Sequence, residues 1–459
     1  MKSRFKPVLA VALALQLCTA FAAVTPDEAK QLGGPLTAFG AIKAASADGK
    51  IPEYTGGLSK PPAGFDPKSG EWPDPFKNEK PLLSITPANM AQHADKLTNG
   101  VQALLKQYPS FRIDVYPTHR TMQYPDWVLK NTFKNATTAK LAGKVQGDGV
   151  EGAYGGVPFP IPKNGHEVMW NNSLSFQRTE IAVKNPGQYL VDTSGGRSEL
   201  PIVPYYSYSP YYDPDLAGEK SQGAAHTKIW SEVTAPPTMA GTAFVINYPY
   251  NYSESDQQVW VYTPGQRRVR MAPEYRYDTP YAQNGGVLFW DELALFRGRM
   301  DRFDFKLVGK KELYIPYNSY RTPSAPVDTA FGPKHINPDT IRFEQHRVWV
   351  VEATLKPGSR HAYSKRMFYI DEDSWALIEA DGYDQDGKLW RVGLASTFNF
   401  YDGGGGHFSA AVSFYDLQKG NYFAYMNPTS TGAPKVFVYD KLVKANLFTP
   451  AGLAGTGVR

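Results

Sequence analysis

Beyond residue 165 the chain is written in short runs in which aromatic and β-branched residues alternate with polar ones, separated by Gly, Pro and Asp turns. Successive side chains of a strand point to opposite faces, and short turns return the chain antiparallel. The pattern points to a large antiparallel sheet. The composition fits: 29 Tyr, 24 Phe and 9 Trp stand beside 41 Gly and 37 Pro.

The stretch QQVWVYTPGQRRVRMAP, residues 257–273, reads as a hairpin. With Thr263-Pro264-Gly265-Gln266 as the loop, Tyr262 opposes Arg267, Trp260 opposes Val269 and Gln258 opposes Met271. Directly opposed residues share a face. One face then carries Trp260, Tyr262, Val269 and Met271, with Arg267 near the turn. The other carries Val259 and Val261 under the stems of Arg268 and Arg270, whose heads reach water. The aromatic face is expected to look inward, and its five residues, Trp260, Tyr262, Val269, Met271 and Arg267, are the candidate ligand-binding set. Further strands are expected at 168–176, 241–248, 303–315, 347–355 and 365–370. Residues 366–393 read as a meander with turns at Asp371-Glu372-Asp373 and Asp386-Gly387.

Helices are fewer. Thr25 caps and Pro26 opens a short one that Gly33-Gly34 stops; Thr86 caps, Pro87 opens and Pro109 ends a longer one with an apolar stripe of Met90, Leu97, Val101, Leu104 and Leu105. A second long helix is expected from Asp126 to about Leu141, and a short helical piece at DELALFRG from Asp291. Residues 23–85, rich in Pro and Gly, read as an irregular wrapping extension. Residues 86–145 read as a helical segment packing on the sheet and 146–459 as the β body, with 86–459 forming one domain.

The chain begins with Lys2, Arg4 and Lys6, an apolar run over residues 8–17, and AFAA. This is the layout of a secretory signal peptide over residues 1–22, with cleavage expected before Ala23. The run is too short for a membrane anchor. Cys18, the one cysteine, follows Leu17, where a lipoprotein signal wants a small residue. The mature protein is then free of thiol chemistry. The formal net charge of +5, lowered further by loss of the leader, does not mark a nucleic-acid binder.

Catalytic motifs fail on inspection. GDGVEG, residues 147–152, matches the dinucleotide pattern, but AYGGVPFPIP after it cannot be the required helix. DGYDQDGKLW resembles a calcium loop, yet Gly382 and Gly393 stand where acids are needed. The eight histidines form neither HxH nor HExxH, and no GxSxG elbow is present. His166-Glu167, read on a strand, point to opposite faces. No catalytic residue, metal site or cofactor is expected from local sequence, and the chain is not expected to be an enzyme. Paired carboxylates for glycoside hydrolysis, usually distant in sequence, stay open.

GAIKAASADGKIPEYTGG (residues 40–57) and EGAYGGVPFPIPKNGHEVMWNN (residues 151–172) resemble signature blocks of the bacterial envelope family catalogued as domain of unknown function 1329. The hairpin at 257–273 and SKRMFYIDEDSWALIEADGYDQDGKLWR (residues 364–391) also resemble the lipoprotein carriers of the Lol system. The resemblance implies a curved antiparallel sheet, an unclosed half-barrel with helices on its concave face, holding acyl chains between them. It implies a periplasmic place of work, in some association with the outer membrane, and a resistance-nodulation-division type exporter or an outer-membrane protein as partner. The function expected is carriage of a lipid or other hydrophobic ligand. The alternatives are a non-catalytic envelope scaffold and a periplasmic glycan-acting hydrolase. A transmembrane β-barrel fits the aromatic strands but not the long Pro-rich extension or the helices.

Overall fold

The computed structural model describes residues 24–216, 224–281, 284 and 286–456. The expected leader, its cleavage site and Cys18 lie outside the described residues. The protein is mainly β. An eleven-stranded sheet runs in the order Leu83–Ile85, Ile113–Val115, Phe343–Leu355, Lys365–Asp371, Leu377–Tyr383, Leu389–Asn399, His407–Asp416, Asn421–Asn427, Gly187–Val191 and Arg197–Glu199, with Phe303–Pro316 paired to Phe343–Leu355. Its two ends do not pair, so it does not close into a barrel. The pairings are antiparallel except for one bridge, Phe343 to Val115.

A second sheet of seven strands runs Arg268–Met271, Gln258–Thr263, Ala243–Pro249, Ala225–Glu232, Tyr205–Tyr208, Glu180–Lys184 and Lys435–Tyr439. The chain passes between the sheets twice at one corner, at 184–187 and at 427–435. There the Asn185 Nδ2 donates to Thr429 Oγ1 at 2.8 Å and to the Gly432 carbonyl at 3.0 Å.

Both faces of the large sheet are covered. On one, Val101, Leu104 and Leu105 of the helix Asn99–Gln107 pack on Val392, Leu394 and Tyr415. On the other, the helix Gly165–Ser173 and the short 3₁₀ segment Trp290–Leu295 pack on Val351, Phe368, Val412 and Phe414. Gly393 makes the second contact possible, since a Cβ there would stand 2.6 Å from Leu295 Cδ2.

Several sequence expectations need correction. Residues 168–176 do not form a strand: Gly165–Ser173 is an α-helix whose cap, Asn164, accepts from the Glu167 N–H. Its residues from Gly165 to Asn171 are all buried. A helix buried on every side loses the amphipathic period that separates helix from strand. His166 and Glu167 therefore lie on a helix. The helix expected after Pro87 is broken: Met90–Lys96 is 3₁₀, and Thr98 caps the α-helix by accepting from the Val101 N–H. The second long helix runs from Asp126 to Thr138, with Pro125 at the N-cap position and no side-chain cap hydrogen bond.

The 257–273 hairpin is shifted by two residues. Tyr262 opposes Val269, Trp260 opposes Met271 and Val261 opposes Arg270. The loop is residues 264–267, closed by Arg267 in the left-handed region at φ 50°. A shift of two preserves face parity, so Trp260, Tyr262, Val269 and Met271 still share a face while Arg267 leaves it. Met271, expected to be buried, is 51% exposed because its strand is the sheet edge. Arg268 and Arg270 are exposed, as expected.

The N-terminal stretch is irregular between the short helix Pro26–Ala29 and the strand Leu83–Ile85. It reaches both sheets: the Trp375 indole donates to the Phe39 carbonyl at 3.0 Å and the Trp72 indole to the Val436 carbonyl at 2.9 Å. Its strongest tether is ionic. Arg120 clamps Asp373 at 2.9 and 2.6 Å and also donates to the Lys43 carbonyl at 3.2 Å. Arg347, close to Glu372 at 3.5 Å, donates to the Ala44 carbonyl at 3.1 Å. Arg342 donates to Glu79 and to the Pro117 carbonyl, each at 2.7 Å. Removing one partner of such a buried pair strands a charge. Arg120→Ala is expected to cost about 3–5 kcal/mol in chemical denaturation.

A second test concerns Glu379 and Asp381, fully buried beneath the start of the helix Asn99–Gln107. Asp381 accepts from the Gly100 N–H and the Tyr369 hydroxyl, each at 3.2 Å. Burial pushes Glu379 up to about 8 and Asp381 up to about 7. Both keep a proton in the folded protein where the unfolded chain has lost it. Stability is therefore full below the ordinary carboxyl range and falls as pH rises towards 8. Glu379→Gln should flatten that fall, raising Tm at pH 8.5 and changing it little at pH 4; an unchanged pH profile in thermal unfolding would count against this.

Candidate functional site

A partly open cavity of about 240 Å³ lies between the two sheets. The seven-stranded sheet supplies one wall, with Ile181, Tyr205, Ile229, Phe244 and Ile246. Register explains why these residues meet. Phe244 opposes Ser231, Ile246 opposes Ile229, and Ser207 opposes both Ile229 and Ile181, so all point the same way. The large sheet supplies Leu377, Phe408, Tyr425 and Met426. The segment 290–297 is wedged between, presenting Trp290, Leu293, Phe296 and Arg297.

That segment is held by its own acids. Asp291 accepts from His361 Nε2 at 3.0 Å and Arg366 Nη1 at 2.9 Å. Burial opposes ionisation of Asp291, but the charges of Arg366 and His361 outweigh it and hold the carboxyl at about 2. Glu292 accepts from the Tyr363 hydroxyl at 2.6 Å and the Phe289 N–H at 2.8 Å. Ala294 and Leu295 then adopt left-handed backbone, at φ 51° and 67°. Non-glycine residues adopt this region only at a cost. The kink turns the segment after its anchor, and the Ala294 N–H donates to the Tyr425 hydroxyl at 3.0 Å. Anchor and cavity wall are thus made by adjacent residues.

One end of the cavity is polar. Ser173, Ser175, Gln177, Ser207 and Arg297 line both the main cavity and an adjoining pocket of about 30 Å³, which His226 and Thr227 also line. His407 contacts Ser175 Oγ at 3.0 Å and Gln177 Nε2 at 3.2 Å. Burial, and then the Arg297 charge, push His407 down to about 4 and His226 down to about 3, so both rings are neutral at physiological pH. No Asp or Glu among the described residues lines either space. Among the described residues no group of three or more His, Cys, Asp or Glu could hold a metal ion.

None of the five hairpin candidates lines the cavity. Trp260, Tyr262 and Val269 lie on the opposite face of the small sheet, where they cluster with Tyr208, Trp230, Phe448 and Leu453 near the C-terminal helix. Met271 projects at the edge and Arg267 sits in the loop. The face that looks towards the cavity side carries Val259 and Val261, packed with Phe244, Ile246 and Trp290. Alternation tells which residues share a face, not what lies against it. DELALFRG was legible only as a short helical piece; nothing local marked Phe296 or Arg297 as cavity residues.

Comparison with known proteins places the chain. Residues 84–454 match the family model described as protein of unknown function (DUF1329). An uncharacterized protein of Pseudomonas aeruginosa is 38% identical over 452 residues, covering 98% of this chain and 97% of the relative. Among solved structures, a DUF1329 family protein from Desulfovibrio piger aligns with 14% identity over 63% of this chain and 97% of its own, at a TM-score of 0.42. A LolA superfamily protein from Nitrosomonas europaea aligns with 13% identity over 63% of this chain and 98% of its own, at a TM-score of 0.35. By the family match and the extent of the Pseudomonas likeness, this chain belongs to the DUF1329 family.

Proposed function

We propose that the protein is a carrier for a hydrophobic small molecule or lipid chain. The observation that supports this best is the cavity between the sheets, walled by Phe244, Ile246, Trp290, Phe296 and Phe408. Ligand sites are concave, mostly apolar and equipped with a few polar groups. A methylene fills about the volume of a water molecule, roughly 30 Å³. The cavity of about 240 Å³ then takes about eight methylenes. At about 0.8 kcal/mol each they contribute roughly 6 kcal/mol before the cost of immobilising the ligand. Affinities in the micromolar-to-millimolar range suit a carrier that must release its cargo.

A glycan hydrolase of the usual kind needs two carboxyls flanking the bond, and the described lining supplies none. A scaffold has no use for such a space. The resemblance in the sequence favours work in the periplasm, delivering to or receiving from a resistance-nodulation-division type exporter or an outer-membrane protein. No helix among the described residues is long and apolar enough to cross a membrane.

The test uses 1-N-phenylnaphthylamine, a dye that fluoresces in apolar surroundings. Ile246→Trp, which fills the cavity, should weaken dye uptake at least tenfold with little loss of Tm. Trp260→Ala, on the far face, should lower Tm and leave uptake intact in the folded protein. Undiminished uptake by Ile246→Trp would sink the reading.

A further inference from the structure

The cavity's polar end says more about the ligand than its apolar walls do. Elsewhere in the molecule, buried arginines have carboxylate partners: Arg120 has Asp373, Arg342 has Glu344, Arg366 has Asp291, and Arg391 lies beside Glu292. Arg297 differs. It is partly buried, and its guanidinium lies 5.4 Å from the centre of the Tyr248 ring. Among the described residues it forms no ion pair, and it is the one Lys, Arg, Asp or Glu that lines the cavity or the adjoining pocket. The same pocket is lined by Ser173, Ser207 and Gln177, which can donate hydrogen bonds, and by Ser175, whose hydroxyl contacts His407. The neighbouring His226 and His407 are neutral, so Arg297 is the positive charge at this end of the cavity.

A guanidinium partly withdrawn from water without a counter-charge leaves donors for an anion. Fork-like donors beside hydroxyls match a carboxylate or phosphate. We infer that the ligand is an anionic amphiphile, its carboxylate or phosphate head held by Arg297 and the surrounding hydroxyls and its chain lying between the sheets. This rests on the carrier reading and adds the head-group chemistry to it. The binding energy is then split: the chain's share comes from the apolar walls, whereas the charge-dependent share of the head comes from Arg297.

Calorimetric titration with four ten-carbon ligands tests this: decanoate, decyl phosphate, decanol and decyltrimethylammonium, each below its micelle concentration. The wild type should bind at least one of the two anions about tenfold or more tighter than decanol, as expected for a charge-assisted contact; the tighter anion identifies the head. Arg297→Gln should erase that preference, bringing both anions to the affinity the variant shows for decanol; its binding of decanol shows that it folds. Arg297→Lys should keep part of the preference. Decanol binding as tightly as both anions, or a preference that survives Arg297→Gln, overturns the head-group assignment and leaves the carrier intact. Failure of all four to bind overturns both.

Discussion

The turn between the strands Lys365–Asp371 and Leu377–Tyr383 is the fixed point of this fold. It buries Glu372 and Asp373, and these acids bring in Arg120 and Arg347 from elsewhere in the chain. Lys310 joins from the neighbouring long strand, 2.7 Å from Glu372. Desolvating so many charges gains little net stability. What it imposes is position. Each arginine has more donors than one carboxylate can absorb, and the surplus goes to the carbonyls of Ala44, Lys43 and Pro52. An extension with almost no regular structure is thereby held in one place on the sheet.

The same economy operates nearer the cavity. Asp291 and Glu292 take up Arg366, the His361 ring and the hydroxyl of Tyr363, which keeps these groups out of the cavity lining. The buried pairs next to this segment, Asp291 with Arg366 and Glu292 with Arg391, lie on its sheet side. The left-handed turn at Ala294 and Leu295 separates that ionic side from the side facing the cavity.

The mainly β class, the short helix at Thr25 and the strands at 303–315 and 347–355, which the structure extends to Pro316 and back to Phe343, were legible because alternation and turn residues are local signals. The hairpin at 257–273 shows where legibility stops. Its faces were correctly sorted, since parity survives a two-residue slip, but the sequence holds no sign of which face a second element would cover. The helix Gly165–Ser173 was misread for a related reason: complete burial removed its polar face. The cavity itself joins Ile181, Ile246, Arg297 and Phe408, from four distant stretches. Only the pairing of two sheets brings them together, and no local pattern encodes that pairing.

The corner where the chain crosses between sheets has a mechanical consequence. No ladder joins the eleven-stranded sheet to the seven-stranded one among the described strands, and the crossings at 184–187 and 427–435 sit side by side, tied by Asn185 to Thr429. The chain also crosses between the sheets at 199–205 and 271–303, so the two plates share this corner as a spine with two longer straps between them. Gaping at the far side changes the cavity's width while leaving each ladder whole, so the aperture is set by side-chain contacts between the plates, such as Trp290 on Phe244 and Ile246. The stiffness of the pages and the ease of opening are therefore separate properties of this molecule, adjustable by different residues.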